Sequence, residues 1–283
     1  MIHGIAITMK ARAQNENDLK YRREVCRIGR WLYRKGFVVA SEGNLSVRLD
    51  AVRILVTPAG VCKGWLSPDD LVITDLEGTV LSGTGHPSSE MQMHLLYYRL
   101  RPDVRSVCHA HPPTATGFAA AGRALEEAVL PEVVSVLGKI PLAPYGTPGT
   151  WELCASIESL VPSHDAILLE NHGVVTCGAD LIAAYQRMET VEHFARIMMT
   201  ANSLGGPRLL AHAEVQKLNA AARGARHLMS RRKNKVLPAA NGLRRFELTQ
   251  SEFEQFNVGS GTNHSRRSQG TLRSPGASGP SRS

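Results

Sequence analysis

Between residues 18 and 36, apolar side chains recur at Leu19, Val25, Ile28, Leu32 and Tyr33 with charges between them, the spacing of an amphipathic helix. Asp18 is placed to cap its start and Gly36 to end it. Short β-favouring runs follow and predict strands over 44–48, 53–56, 71–74 and 79–81, with a turn at Leu76-Glu77-Gly78 before the last. A second helix is expected from Ser88 to about Leu100, ahead of Pro102. An apolar strand over 104–110 and a helix over 114–121, closed by Gly122, come next. Residues 132–137 and 140–142 read as strands and 151–160 as a helix. A buried strand over 166–170 resumes at 174–176. The long helix 180–204 is apolar at Leu181, Ala184, Tyr185, Met188, Val191 and Ala195. On it, Glu189 and His193 stand four residues apart and read as a helix-face ion pair. A shorter helix spans 212–223. Strands and helices mix without strict alternation, which predicts an α/β or α+β sandwich with a mixed sheet.

Composition changes this picture at one end. The chain of 283 residues carries a net charge of +8, but residues 217–283 hold 13 Lys/Arg against 3 Asp/Glu. Residues 1–216 hold 20 against 22, so the basic character is not a property of the predicted core. Arg231-Arg232-Lys233-Asn234-Lys235 is a charge run, and 259–283 is nearly all Gly, Ser, Thr, Pro and Arg. That tail buries too little apolar area to order itself. Between them, Phe246, Leu248, Phe253 and Phe256 suggest a short docking helix. The expected division is an N-terminal arm 1–17, a domain 18–225, a basic extension 226–258 and a disordered tail 259–283. Nucleic acid is expected to bind only non-specifically, through the basic tail. No apolar run approaches the ~18 residues of a membrane span, and the start lacks a signal pattern, so the expected location is cytoplasmic. Five scattered cysteines without a C-x-x-C pair suggest neither disulfides nor a zinc ribbon.

The candidate chemistry lies at strand ends. His109-Ala110-His111, followed by Pro112-Pro113, puts two imidazoles on one side of a strand, where both can reach one metal ion. A solvated strand can carry the same pattern. His172, in Asn171-His172-Gly173, ends another apolar strand, and three histidines with an open fourth position make a catalytic type of site. Gly173 suggests close backbone approach or a tight turn. Cys108 should point to the opposite sheet face and reads as core. Glu90, in the predicted first helical turn behind Ser88 and Ser89, is either a helix-start acid or a general base near the metal. Ser88, Ser89 and the amides of that turn suit an anion such as phosphate. Asn44 and the Thr57-Pro58-Ala59-Gly60 turn would complete that pocket.

Six segments in order carry a family resemblance: residues 42–48 (Glu-Gly-Asn-Leu-Ser-Val-Arg), 56–60 (Val-Thr-Pro-Ala-Gly), 87–90 (Pro-Ser-Ser-Glu), 109–112 (His-Ala-His-Pro), 143–147 (Ala-Pro-Tyr-Gly-Thr) and 170–173 (Glu-Asn-His-Gly). Over roughly 18–220 the chain resembles the class II aldolase/adducin family. The resemblance implies a single three-layer α/β/α sandwich around a mixed, largely antiparallel sheet. It implies His109, His111 and His172 as zinc ligands, with Glu90 as acid/base and fourth ligand when substrate is absent. It also implies Asn44, Gly60, Ser88 and Ser89 as phosphate-holding positions, and a homotetramer with active sites at subunit boundaries. Zn2+ is the expected ion, with Mn2+, Co2+ and Fe2+ as alternatives on the same donors. The family's aldehyde-side tyrosine aligns with Ser135, a phosphate-site threonine with Ala59 and a phenylalanine with Pro148; Tyr145 belongs to a different segment.

The implied activity is that of a metal-dependent lyase of carbohydrate metabolism, cleaving a C–C bond of a phosphorylated sugar by an enediolate mechanism. One alternative is a metal-dependent decarboxylase of an oxo acid, which needs no aldehyde-side tyrosine. Another is a non-catalytic, adducin-like interaction protein, against which the three histidines and Glu90 argue.

Overall fold

The computed structural model describes the backbone of residues 2–233 and the side chains of residues 16–224. Its first element, α1 (Ile2–Arg34), ends where Gly36 takes φ +67°, as expected. It begins well before residue 18, so the boundary expected between residues 17 and 18 would fall inside one helix. Asp18 does not cap it: the carboxylate instead pairs with Arg53 at 2.6 Å, tying α1 to the sheet.

Four short strands follow: β1 (Asn44–Arg48), β2 (Ile54–Val56), β3 (Val72–Thr74) and β4 (Val80–Ser82). Helix α2 (Met91–Leu100) starts three residues later than the expected Ser88, because the chain before it is held elsewhere. The Ser88 amide donates to the Thr57 carbonyl at 3.1 Å, and Pro87 bridges to Pro58. Strand β5 (Ser106–Ala110) and helix α3 (Pro113–Ala120) match the apolar pattern. Residues 132–137 are not a strand but the body of α4 (Pro131–Val136). Pro131 at the first helical position and Glu132 in the first turn start a helix that the β-branched valines disguise. Strand β6 is only Leu142–Ala143, while Ile140 forms an isolated bridge with Leu125.

After α5 (Trp151–Glu158), β7 (Ala166–Leu169) does not resume past His172. The chain turns at Asn171, φ +53°, and β8 (Gly173–Gly178) runs back antiparallel beside β7. Helix α6 (Leu181–Ser203) is capped by the Asp180 carboxylate, which accepts from the Ala183 amide at 2.8 Å. On it, Glu189 turns to Lys35 (2.9 Å) and the Tyr185 hydroxyl (2.7 Å) rather than to His193. Helix α7 (His212–Lys233) runs ten residues beyond its expected end at 223. The rest of the basic extension, with the suggested docking helix, and the 259–283 tail lie outside the described residues.

The strands form one sheet in the order β4-β3-β2-β1-β5-β8-β7-β6, antiparallel throughout except for the β6–β7 pair. Side-chain alternation divides the core between its two faces. Leu45, Val47, Leu55, Cys108, Ala110, Leu168 and Val174 pack with α1, α3, α4 and α6. Ile54, Val56, Val107, Ile167 and Val175 pack with α2 and α5. The result is the expected α/β/α sandwich around a mixed sheet. Among the described residues, no helix is long and apolar enough to cross a membrane.

Candidate metal centre

The register of the sheet brings the predicted chemistry to one end. Asn44, at the start of β1, pairs with His109 near the end of β5, and β5 also pairs with β8, which begins just after His172. His109 lies on the α2 side of the sheet and is fully buried, while Cys108 beside it joins the opposite core layer. The Nε2 atoms of His109 and His111 stand 3.1 Å apart. The ligand atoms of His109, His111 and His172 all lie within 4.8 Å of one another. Glu90, the N-cap residue of α2, directs one carboxylate oxygen to His172 Nε2 at 3.2 Å and the other to His109 Nε2 at 3.3 Å.

Two glycines permit this convergence. A Cβ on Gly173 would sit 2.5 Å from the His111 ring and 2.8 Å from the Ala110 carbonyl oxygen. Gly43 takes φ +68°, and a Cβ there would meet Val38 at 2.6 Å and the His109 carbonyl oxygen at 2.8 Å.

The proton positions follow from the partners. His109 Nδ1 is 2.9 Å from the Val174 carbonyl oxygen, which can only accept. Nδ1 therefore carries the hydrogen, and Nε2 presents its lone pair to the cluster. Burial, and after it the neighbouring His111, holds His109 well below the usual imidazole range. Burial first and His109 second push His172 down to about 3. Both rings are neutral at ordinary pH and would lose no protons to a metal.

The donor set fits a divalent cation. Ligand bonds of about 2.0–2.1 Å at tetrahedral angles put donor atoms about 3.3 Å apart. The separations here are 3.1, 3.2 and 3.3 Å. Glu90 Oε1 is buried and makes no hydrogen bond among the described residues. Lone pairs and a carboxylate facing one another repel when alone and are favourable around a cation. Behind the cluster, Glu42 Oε2 lies 3.3 Å from His111 Nδ1, a carboxylate–histidine pairing that directs the other ring nitrogen inward.

Residues 23–199 match the model of the Class II Aldolase and Adducin N-terminal domain. The chain belongs to this family. It is 36% identical over 181 residues to an L-fuculose phosphate aldolase of Methanococcus maripaludis, covering 64% of this chain and 97% of that one. It is 35% identical over 188 residues to a 3-oxo-tetronate 4-phosphate decarboxylase of Haemophilus influenzae, covering 65% and 89%. A solved L-fuculose 1-phosphate aldolase superposes with a TM-score of 0.67 at 31% identity, over 71% of this chain and 95% of that one.

The structure also places the positions expected from the sequence to hold phosphate. The Ala59 amide donates to the His86 carbonyl at 3.0 Å, which ties the 57–60 turn to the segment leading into α2. Gly60 has φ +72° with open space beside its Cα. Ser88 Oγ accepts from the Glu90 amide at 3.3 Å, and the Ser89 backbone carbonyl packs against Gly149. Asn44 is 3% exposed, and its amide nitrogen donates to Glu90 Oε2 at 2.8 Å.

Sequence reasoning passed over the residues that back this class II aldolase-type centre. His94 is fully buried between Asn44 and Ser46, and Tyr98 reaches Ser46 from one turn further along α2. Burial pushes His94 down to about 4. The buried Lys63 donates to the Ser41 and Val61 carbonyls at 2.8 and 2.6 Å, and burial pushes it down to about 8. A signal existed for the first group. Asn44, Ser46 and Arg48 alternate on β1, and Glu90, His94 and Tyr98 recur every fourth residue on α2.

Proposed function

We propose that this chain is a zinc-dependent lyase that cleaves a C–C bond of a phosphorylated sugar by an enediolate mechanism. The observation that carries the reading is the convergence of His109, His111, His172 and both Glu90 oxygens at metal-ligand spacing. When bound, the ion would supply Lewis-acid stabilisation of negative charge developing on adjacent substrate oxygens. Glu90 moves the proton at carbon: in cleavage the substrate hydroxyl gives up its proton to solvent as the C–C bond breaks, and Glu90, as the acid, delivers a proton to the enediolate carbon; in the enolising direction Glu90, as a carboxylate, takes that carbon-bound proton. Asn44 holds one Glu90 oxygen, and the second hydrogen of its amide is free to serve a phosphoryl oxygen beside Gly60, Ser88 and Ser89. A homotetramer, a cytoplasmic location and a role in carbohydrate metabolism belong to the same reading.

The test is deuterium incorporation at the hydroxymethyl carbon of dihydroxyacetone phosphate in D2O, with zinc-loaded protein and its Glu90→Gln variant. Zinc-dependent exchange that is lost in the variant supports the aldolase half-reaction. A second reading, decarboxylation of an oxo acid on the same ion, has its own support. The Haemophilus influenzae relative is named a decarboxylase, and the family resemblance implies that Ser135, on α4, stands where the family has its aldehyde-side tyrosine. Absence of exchange with zinc bound would reject the aldolase reading in favour of that one.

A further inference from the structure

We propose that Tyr98, Ser46 and His94 form a one-way chain of hydrogen bonds that fixes the Asn44 amide as a donor to Glu90, making His94 a positioning residue for the carboxylate. The inference rests on the assignment of Glu90 as the proton-transfer group, and goes beyond it to what orients that group.

The contacts are continuous. Tyr98 Oη is 2.7 Å from Ser46 Oγ, and Ser46 Oγ is 2.6 Å from His94 Nδ1. His94 Nε2 meets Asn44 Oδ1, and Asn44 Nδ2 donates to Glu90 Oε2 at 2.8 Å. The five side chains belong to residues 0 to 8% exposed, so solvent does not interrupt the path.

Each link dictates the next. A carboxylate only accepts, so Asn44 must present its N–H to Glu90 and its carbonyl oxygen to His94. That oxygen also only accepts, so His94 Nε2 carries the hydrogen. In a neutral ring Nδ1 is then an acceptor, and the Ser46 hydroxyl must donate to it. Ser46 Oγ is left to accept, so the Tyr98 hydroxyl donates to Ser46.

Reversal is costly. An inverted Asn44 would set its carbonyl oxygen against the Glu90 carboxylate. It would also require His94 and Ser46 to exchange roles and the buried Tyr98 hydrogen to find another acceptor. The chain thus fixes which Asn44 atom meets Glu90 and holds that carboxylate oxygen in place. Among the described residues, none of the three outer members hydrogen-bonds to a histidine of the metal cluster.

The test has two arms on zinc-loaded protein. First, imidazole 15N NMR, assigned by loss of the signal in His94→Gln, reads the His94 tautomer. A neutral Nε2–H ring is expected; an Nδ1–H ring means the chain runs the other way and overturns the proposal.

Second, the exchange reaction of dihydroxyacetone phosphate is split into kcat and KM. His94→Leu should lower kcat by between about tenfold and about 100-fold with KM and zinc content unchanged. His94→Gln, whose amide can donate to Asn44 and accept from Ser46, should recover most of that loss. Tyr98→Phe should show a smaller fall in kcat. Parental kcat in His94→Leu alongside an inactive Glu90→Gln overturns the positioning role, as does a His94→Gln variant no better than Leu. If the parent itself shows no exchange, the aldolase reading fails, and the tautomer alone decides the chain.

Discussion

Glu90 sits where two demands meet. It faces two neutral imidazole nitrogens at 3.2 and 3.3 Å and accepts a hydrogen bond from Asn44. Glu90→Gln keeps the size of the side chain but cannot accept a proton, so exchange is predicted to fall at least about 100-fold with zinc retained. Substantial exchange in that variant, measured with bound zinc verified, would remove the assigned role. The four principal residues were legible in the sequence because each lies in a local motif whose chemistry can be named. Ser46, His94 and Tyr98 were not, because their meaning depends on α2 lying across β1. Neither alternate polar positions on a strand nor every-fourth positions on a helix announce that partner. Asn44 was legible as a polar group of the site, but its bond to Glu90 came only from the structure.

At the scale of elements, the site is held by backbone placed from both faces of the sheet. Helix α3 begins directly after the His111-Pro112 step, and its first amides are received by Glu192 on α6. The Thr114 amide donates to Glu192 Oε2 at 3.0 Å and the Ala115 amide at 2.9 Å, and Glu192 is 1% exposed. Glu192→Ala strands two helix N-terminal donors, and a loss of about 2–3 kcal/mol is expected in denaturant unfolding. Gly173→Ala drives a Cβ into the His111 ring and the Ala110 carbonyl oxygen. Overpacking of this kind costs about 1–3 kcal/mol, so both the melting temperature and the zinc affinity should fall. Unchanged zinc affinity in that variant would show that the β7–β8 turn does not set the position of His111.

Most elements were legible from periodicity, and β1, β3, α5 and α6 fall close to their expected limits. The failures have physical causes. In α4 the β-branched valines outweighed the Pro131 start signal. The return at Asn171 was hidden because β7 and β8 are both apolar and only two residues separate Glu170 from Gly173. The segment before α2 was read as helix because nothing local reveals that Thr57 holds Ser88 and that residues 89–90 form a turn rather than helix.

At the scale of the whole molecule, the buried His94 and His109 and the partly buried His172 make stability depend on pH. His94 and His172 are pushed down to about 4 and about 3, and His109 well below its usual range, all mainly by burial. In the unfolded chain the same rings take protons near pH 6.5. Below that pH the unfolded state binds more protons than the folded one, so stability falls as pH drops from about 6.5 toward about 4. His94 alone should contribute about 1.4 kcal/mol per pH unit across that window. Thermal melts of chelator-treated protein at pH 7.5 and 5.0 should show this fall, reduced in His94→Gln. A melting temperature equal at both pH values would contradict neutral burial of these rings.

The sandwich architecture was legible because six motifs occur in family order, whereas the early start of α1 was not, since residues 1–17 carry no comparable periodicity. The charge division places any polyanion affinity in residues 217–283, apart from the metal cluster.

The most direct test of the centre is calorimetric titration of zinc into chelator-stripped protein and its His172→Ala variant. One zinc per chain is predicted, with affinity reduced more than about 100-fold in the variant. Absence of a stoichiometric site, or equal affinity in His172→Ala, would contradict the assignment of His109, His111 and His172 as one metal centre.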